Sequence, residues 1–257
     1  MHDIRSSILG IADALRNSFN DVLITGSYLM NKVFTIKVGP EGTINEAETL
    51  SSMFKDVAVL IDDLGFLNSL GSLSIARIRG SLVVFVYDIH DIRPFCELTG
   101  LPCLEPWDQE SLVKAIKESR DYSEAFELPY IVRLGPWLSV GEGLSGIGVK
   151  RREATFNKNW GGEPMRWGGL NRLLSNIRRR IPEEVGGVRS RDNITVIGKG
   201  DGVLVSGPAW SFIKERLDKV SNYSVVLSLY INPLPRDFIN VKYVVDPGGL
   251  PSEGGWR

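Results

Sequence analysis

Two uninterrupted apolar runs, VAVLI (57–61) and LVVFVY (82–87), set the tightest constraint on how this sequence can fold. A strand with one wet face alternates apolar and polar residues, so a run without alternation needs cover on both faces. That cover is supplied by helices in a parallel sheet. The flanking segments carry the matching helical spacing. Residues 6–19 place Ile8, Ile11, Ala12, Leu15 and Phe19 on one face, and TINEAETLSSMF (43–54) turns Ala47, Leu50 and Phe54 inward. DDLGFLNSLGSLSIARIRG (62–80) reads as a helix interrupted by glycine. Beyond Cys103, Asp108 is a natural N-cap for a helix with Leu112, Ala115, Ile116, Tyr122 and Phe126 on one stripe. DVLIT (21–25) and YIVRL (130–134) read as further short strands. Alternating strands and helices predict a parallel α/β domain over residues 1–140.

The next stretch changes character. Residues 135–195 are rich in Gly, Trp and Arg, which predicts a connector (141–192) holding one amphipathic helix with Leu170, Leu173, Leu174, Ile177 and Ile181 inward. A small second α/β unit is expected over 193–257. It contains the strands NITVIG, VLVSG, SVVLSLY and VKYVV, and a helix PAWSFIKERLDKV with Pro208 at its first position.

Composition removes several classes of function. Lys+Arg 30 against Asp+Glu 31 leaves a net charge of −1, so nothing draws the whole molecule to nucleic acid or anionic lipid. No apolar run approaches the roughly 20 residues of a membrane span, and the charged N-terminus does not read as a signal peptide. A soluble, cytoplasmic protein without nucleic-acid or membrane partners is expected. The sequence has only two histidines, His2 and His90, which excludes a His-rich zinc site and His pairs at metal-binding helical spacing. Cys96 and Cys103 lack a second pair and read as packing thiols, so no metal or iron–sulfur site is expected on this chain.

GEGLSG (141–146) satisfies G-x-G-x-x-G but opens no convincing helix and reads as linker. GKGDG (198–202) reads as a turn between strands, and RLLSNIRRR (172–180) as a solvated basic face. YDIHDIR (87–93) is more informative. It lies just past the carboxyl end of an apolar strand, where open α/β sheets form ligand crevices. There Asp88, His90, Asp91 and Arg93 offer two carboxylates, an imidazole and a guanidinium; a polar loop and a ligand site both remain open readings. Thr43-Ile44-Asn45-Glu46 has the form of a capping box at a helix start.

The segment DIRPFCELTGLPCLEPWDQESLVKAIKESRDYSEAFELPYIVRL (91–134) resembles the indolepyruvate:ferredoxin oxidoreductases, within the 2-oxoacid:ferredoxin oxidoreductases. Those proteins carry an Asp-Asn-Arg-like segment, a Leu-Glu-Pro-Ser-Asp turn, and a helix ending in E-x-F-x-L-P before a strand. GVLVSGPAWSFIKERL and PLPRDFINVKYVVD look like the family's transketolase-C-terminal-like unit. The resemblance implies a pyrimidine-binding-like α/β domain followed by a small transketolase-C-terminal-like domain. It also implies thiamine diphosphate as a cofactor shared with a partner chain. In the family a glutamate following an Asn hydrogen-bonds the aminopyrimidine N1′ and promotes removal of the C2 proton. INEAETL matches that pattern, which makes Glu46 the catalytic candidate. The family's Gly-Tyr-Pro-x-Thr-Pro loop, whose threonine contacts the 2-oxoacid, is replaced here by GSYLMN (26–31); Ser27 in that segment is a substrate- or cofactor-proximal candidate with Asp88, His90, Asp91 and Arg93. No diphosphate-binding or ferredoxin-type segment matches. The resemblance therefore implies a thiamine-diphosphate/magnesium-binding, iron–sulfur partner subunit in a homo- or hetero-oligomer; a non-catalytic scaffold or regulatory homologue is the other reading.

Overall fold

The computed structural model describes residues 4–138, 193–220, 222–232 and 241–245. The expected connector helix, GEGLSG and the basic segment 172–180 lie outside the described residues.

The apolar runs form the middle of a six-stranded sheet. Its strands are β1 (Asp21–Ile24), β2 (Asp56–Asp62), β3 (Ser81–Tyr87), β4 (Cys103–Leu104), β5 (Tyr130–Leu134) and β9 (Tyr230–Asn232), ordered β1-β2-β3-β5-β4-β9. All neighbours are parallel except β4 and β9. Every residue of β2, β3 and β5 is buried, as the unbroken apolar pattern demands. Alternate side chains feed two cores. Ala58, Leu60, Val83 and Phe85 pack with Ile8, Leu15 and Phe19 of helix α1 (Ile4–Ser18) and its continuation, and with Leu112 and Ile116 of α5 (Gln109–Phe126). Val57, Val59, Leu82 and Val84 pack on the other face against Ile44 and Ala47 of α2 (Pro40–Ser52), and against Phe66 and Leu73 of α3 (Asp63–Ile75). Each buried Val, Leu, Ile or Phe among them contributes about 1.5–3 kcal/mol. Helix α4 (Arg93–Thr99) completes this layer.

Two helix starts illustrate how local chemistry competes. At α5 the capping box is complete: Asp108 accepts the Ser111 N–H at 2.8 Å, and the Ser111 hydroxyl accepts the Asp108 N–H at 2.9 Å. The capping box expected at Thr43–Glu46 does not form. Helix α2 begins earlier, at Pro40, with Gly39 as N-cap. Pro40 brings a fixed φ and no N–H, which suits the first helical turn. Thr43 is then inside the helix, and its hydroxyl donates back to the Gly39 carbonyl at 3.0 Å.

A second sheet has the order β10-β7-β8-β6, from β10 (Val241–Val245), β7 (Asp201–Val205), β8 (Tyr223–Ser228) and β6 (Ile194–Ile197). Only β6 runs antiparallel. Helix α6 (Gly207–Lys214) packs Ala209 and Trp210 against Val205, Val225 and Leu227, with Trp107 bridging to the first core. GKGDG is the turn leading from β6 into β7. Gly200 (φ +135°) needs glycine there, because a Cβ would meet the Asn222 carbonyl at 2.1 Å. SVVLSLY, expected as one strand, serves both sheets. Its first part is β8; after Leu229 the chain becomes β9 and pairs with β4, Cys103 opposite Asn232 and Leu104 opposite Tyr230. The Asn232 amide donates to the carbonyls of Cys96 (3.0 Å) and Leu101 (2.7 Å), fixing the crossover. An apolar run carries no mark at such a switch, since its residues are buried in either sheet.

Candidate functional site

Parallel strands β1, β2, β3 and β5 deliver their carboxyl ends to one edge, where four loops meet. At the first, β1 gives way to the segment leading to α2. Asp62, the last residue of β2 and the N-cap of α3, is 1% exposed and lies beneath that segment. Its Oδ1 accepts the Gly65 N–H (2.9 Å) and the Ser27 N–H (2.9 Å); its Oδ2 accepts the N–H groups of Leu29 (3.0 Å) and Met30 (3.1 Å). Gly26 lets the backbone approach, since a Cβ there would come within 2.9 Å of the carboxylate. Ser27 thus contributes its backbone amide, with its side chain half-buried.

One residue further on, Asp63 turns toward the third loop. Its Oδ2 accepts the Ile89 N–H (2.9 Å) and the His90 N–H (3.1 Å), and lies 2.8 Å from His90 Nδ1. Burial pushes this carboxyl up, but the hydrogen bonds from Ile89, the His90 ring and Leu64 outweigh it and hold the carboxyl below its usual range. The carboxylate fixes one imidazole nitrogen and leaves the other on an exposed ring.

A charge cluster forms where β3, β4 and β5 end. Arg133 on β5 is buried among carboxylates. Its Nε donates to Asp88, one Nη donates to Glu105, the other stands 3.7 Å from Asp91, and its guanidinium lies 4.7 Å from the centre of the Trp137 ring. Burial disfavours the charged guanidinium, yet Glu105 and Asp88 raise its pKa above the ordinary arginine value. Asp88 is fully buried and also accepts the N–H groups of His90, Asp91 and Ile92, which shapes the 88–93 loop. Asp91 has φ +71° and grips Arg93 through two bonds of 2.7 and 2.6 Å. Burial pushes the Asp91 carboxyl up, while Arg93 and Arg133 pull it further down, to below its usual range. Glu105 reaches the second unit: its Oε1 accepts the Gly207 N–H at 2.7 Å, at the start of α6. A negative charge at a helix N-terminus is itself stabilising.

The structure therefore brings Asp88, His90, Asp91 and Arg93 together, and places Ser27 on the same edge through Asp62 and Asp63. Glu46 stands apart from them. It lies on the exposed side of α2, six residues beyond Pro40, or about 9 Å along the helix axis. The start of α2 is tied to this edge by Thr25, whose hydroxyl donates to the Val38 carbonyl at 2.9 Å. Sequence reasoning missed Asp62, Asp63, Glu105 and Arg133. A carboxylate pair ending an apolar strand and an arginine inside one were the available signals, because a charge in a two-sided strand needs a buried partner. Among the described residues no cluster of three or more His, Cys, Asp or Glu is placed to hold a metal ion, and no helix is long and apolar enough to cross a membrane. Cys96 and Cys103 are buried and unbridged, and burial together with the neighbouring Cys96 pushes the Cys103 thiol well up.

Comparison with solved structures places this architecture. A 2-oxoglutarate:ferredoxin oxidoreductase from Magnetococcus marinus, determined with 2-oxoglutarate, coenzyme A and succinyl-CoA bound, superposes over 93% of this chain and 56% of its own with a TM-score of 0.66 at 11% identity. The fold is that of 2-oxoacid:ferredoxin oxidoreductases and transketolases. A split-gene transketolase, described as an inactive β4 tetramer, covers 93% of this chain and 77% of its own at a TM-score of 0.50 and 13% identity. In sequence, the indolepyruvate oxidoreductase subunit IorA of Methanothermobacter thermautotrophicus is 23% identical over 193 residues, 67% of this chain. The chain matches 31% of that subunit's length. No family model matches.

Proposed function

We propose that this chain is the aminopyrimidine-side subunit of a split thiamine-diphosphate-dependent 2-oxoacid:ferredoxin oxidoreductase. A partner chain would hold the diphosphate through magnesium and pass electrons to iron–sulfur clusters. The supporting observation is Glu46, a carboxylate left exposed on a helix whose lead-in residue Val38 is tied to the loop edge. An exposed carboxylate fits a ring nitrogen presented from another chain, which a buried one could not reach. When bound, thiamine diphosphate supplies the electron sink for cleavage beside the carbonyl. In that complex Glu46 would share a proton with the aminopyrimidine N1′, while Asp63 holds the exposed His90 ring in place through its Nδ1 at 2.8 Å. Exposed apolar side chains at this edge, Tyr28 (67%) and Ile89 (53%) in loops and Leu64 (43%) in the first turn of α3, support a covered surface in a homo- or hetero-oligomer.

The test is the Glu46→Gln variant in the complex reconstituted with the partner. The amide cannot share the proton, so turnover falls roughly a hundredfold or more with stability unchanged. Equal turnover removes Glu46 from the mechanism. A second reading, a non-catalytic scaffold or regulatory subunit, is favoured by a specific observation: the amides of the 26–30 loop are taken by Asp62, Arg93 is committed to the half-buried Asp91, and Arg133 to the buried Asp88 and Glu105. Thiamine diphosphate binding by the complex and not by the partner alone separates the first reading from the second.

A further inference from the structure

Helix α3 turns an uncharged face to water. Within Asp63–Ile75 the exposed residues are Leu64, Asn68, Gly71 and Ile75. The other long helices of this domain expose charges: Arg5, Asp13 and Arg16 on α1, Glu41 and Glu46 on α2, Glu110, Lys114 and Lys117 on α5. Leu64 and Ile75 are 43% and 65% exposed, although Phe66 and Leu73 already fix the helix to its own core. The four exposed positions are spaced by four, three and four residues, the spacing of a seam between two packed helices. Gly71 is a second, independent sign. Its φ is not positive, and a Cβ there would meet nothing within 4 Å. Nothing in its surroundings requires glycine, which inside a helix costs about 0.5–1 kcal/mol relative to alanine. A missing side chain in the middle of the stripe lets a second backbone come close.

We propose that α3 is the contact through which two copies of this chain pair, antiparallel about a two-fold axis. The stripe has the same spacing in both directions. An axis midway between Asn68 and Gly71 sets Leu64 against Ile75 of the second copy, and Asn68 against its Gly71, each twice over. A two-fold contact needs this self-complementarity, since whatever one residue gives to another it also receives. A face without charge meets its own copy without repulsion, and offers an acidic or basic partner nothing to pair with. The Asn68 amide, with both donors and an acceptor, takes the room above Gly71 and fixes the register, as a single asparagine does in a helix seam. The seam is short: 13 residues of helix span about 20 Å. It covers less than the roughly 800 Å² per partner of a standard interface, so the dimer is weak, with a Kd of about 1–100 μM. Neither Glu46 nor thiamine diphosphate enters the argument, so its failure leaves the functional proposal standing.

Sedimentation velocity of the full chain from about 1 to 300 μM tests it. The wild type passes from monomer to dimer across that range. Gly71→Glu, Leu64→Lys and Ile75→Glu each weaken the dimer about tenfold or more. Their circular dichroism and melting temperatures stay near the wild-type values, because all three positions are exposed. An equimolar mixture of Leu64→Lys and Ile75→Glu dimerises at least about fivefold more tightly than either variant alone, because the new ammonium meets the new carboxylate across the axis and one Leu–Ile contact is kept. A wild type that stays monomeric overturns the proposal and leaves the face to a different protein. A dimer that all three variants leave intact lies elsewhere on the surface and overturns it as well. Weakening by the single variants without recovery in the mixture overturns the two-fold register.

Discussion

Replacing Arg133 by Met is the most demanding test of the charge cluster. Methionine fills most of the side-chain volume, so the cavity contribution is small. What changes is charge: Asp88 and Glu105, 0% and 1% exposed, lose their common guanidinium. Removing one partner of a buried pair costs about 3–5 kcal/mol, because the other charge stays buried. Backbone donors remain, three on Asp88 and Gly207 on Glu105, which keeps each loss toward the lower end. With two carboxylates orphaned, about 4 kcal/mol is expected, against a whole-protein stability of about 5–15 kcal/mol. For a chain of this size that is a fall in melting temperature of about 8–16 °C. Urea unfolding followed by tryptophan fluorescence and circular dichroism measures it. Glu105→Gln in the Arg133→Met background discharges one orphan while its Oε1 still accepts the Gly207 N–H. It restores about 1–2 kcal/mol, although the same change in the wild type is destabilising. An Arg133→Met loss below about 1 kcal/mol, or simple additivity of the two changes, refutes the argument that this cluster is mutually dependent.

Gly207→Ala places a Cβ 3.1 Å from Cγ and Oε1 of Glu105 and 3.2 Å from the Pro106 carbonyl. Because Arg133 clamps Glu105, the clash is not relieved, and chemical denaturation shows a loss of about 1–3 kcal/mol. Asp63 and Asp91 titrate below their unfolded values. Near pH 4 the unfolded chain therefore binds more protons, so their contribution is complete above about pH 4–5 and is lost as pH falls through the folded values. Melting temperatures taken from pH 7 to pH 3 show this fall, and Asp63→Asn makes it shallower. Glu46→Gln, at an exposed helix position, changes the unfolding free energy of the isolated chain by well under about 1 kcal/mol, measured by urea denaturation.

The sheet and its cover were readable because their cause is local. VAVLI, LVVFVY and YIVRL each state within a few residues that both faces are buried, and the helices between them state their inner faces by spacing. The cap of α5 is local too, since Asp108 and Ser111 are three residues apart. The start of α2 was misread because two local signals compete, and the fixed φ of Pro40 with Gly39 before it outweighed the Thr43–Glu46 pattern. Of the charge cluster, only Asp88 to Arg93, which follow a strand end, were legible.

Its organising partners required the tertiary structure. Arg133 meets Glu105 from 28 positions away and Asp88 from 45, and Glu105 meets Gly207 from 102. Asp62 holds amides more than 30 positions before it. Burial periodicity is written into neighbouring residues because each side chain separates water from core on its own. A buried charge is stable only when distant strands deliver its counter-charge and donors to the same point, and no short stretch of sequence records where those strands end.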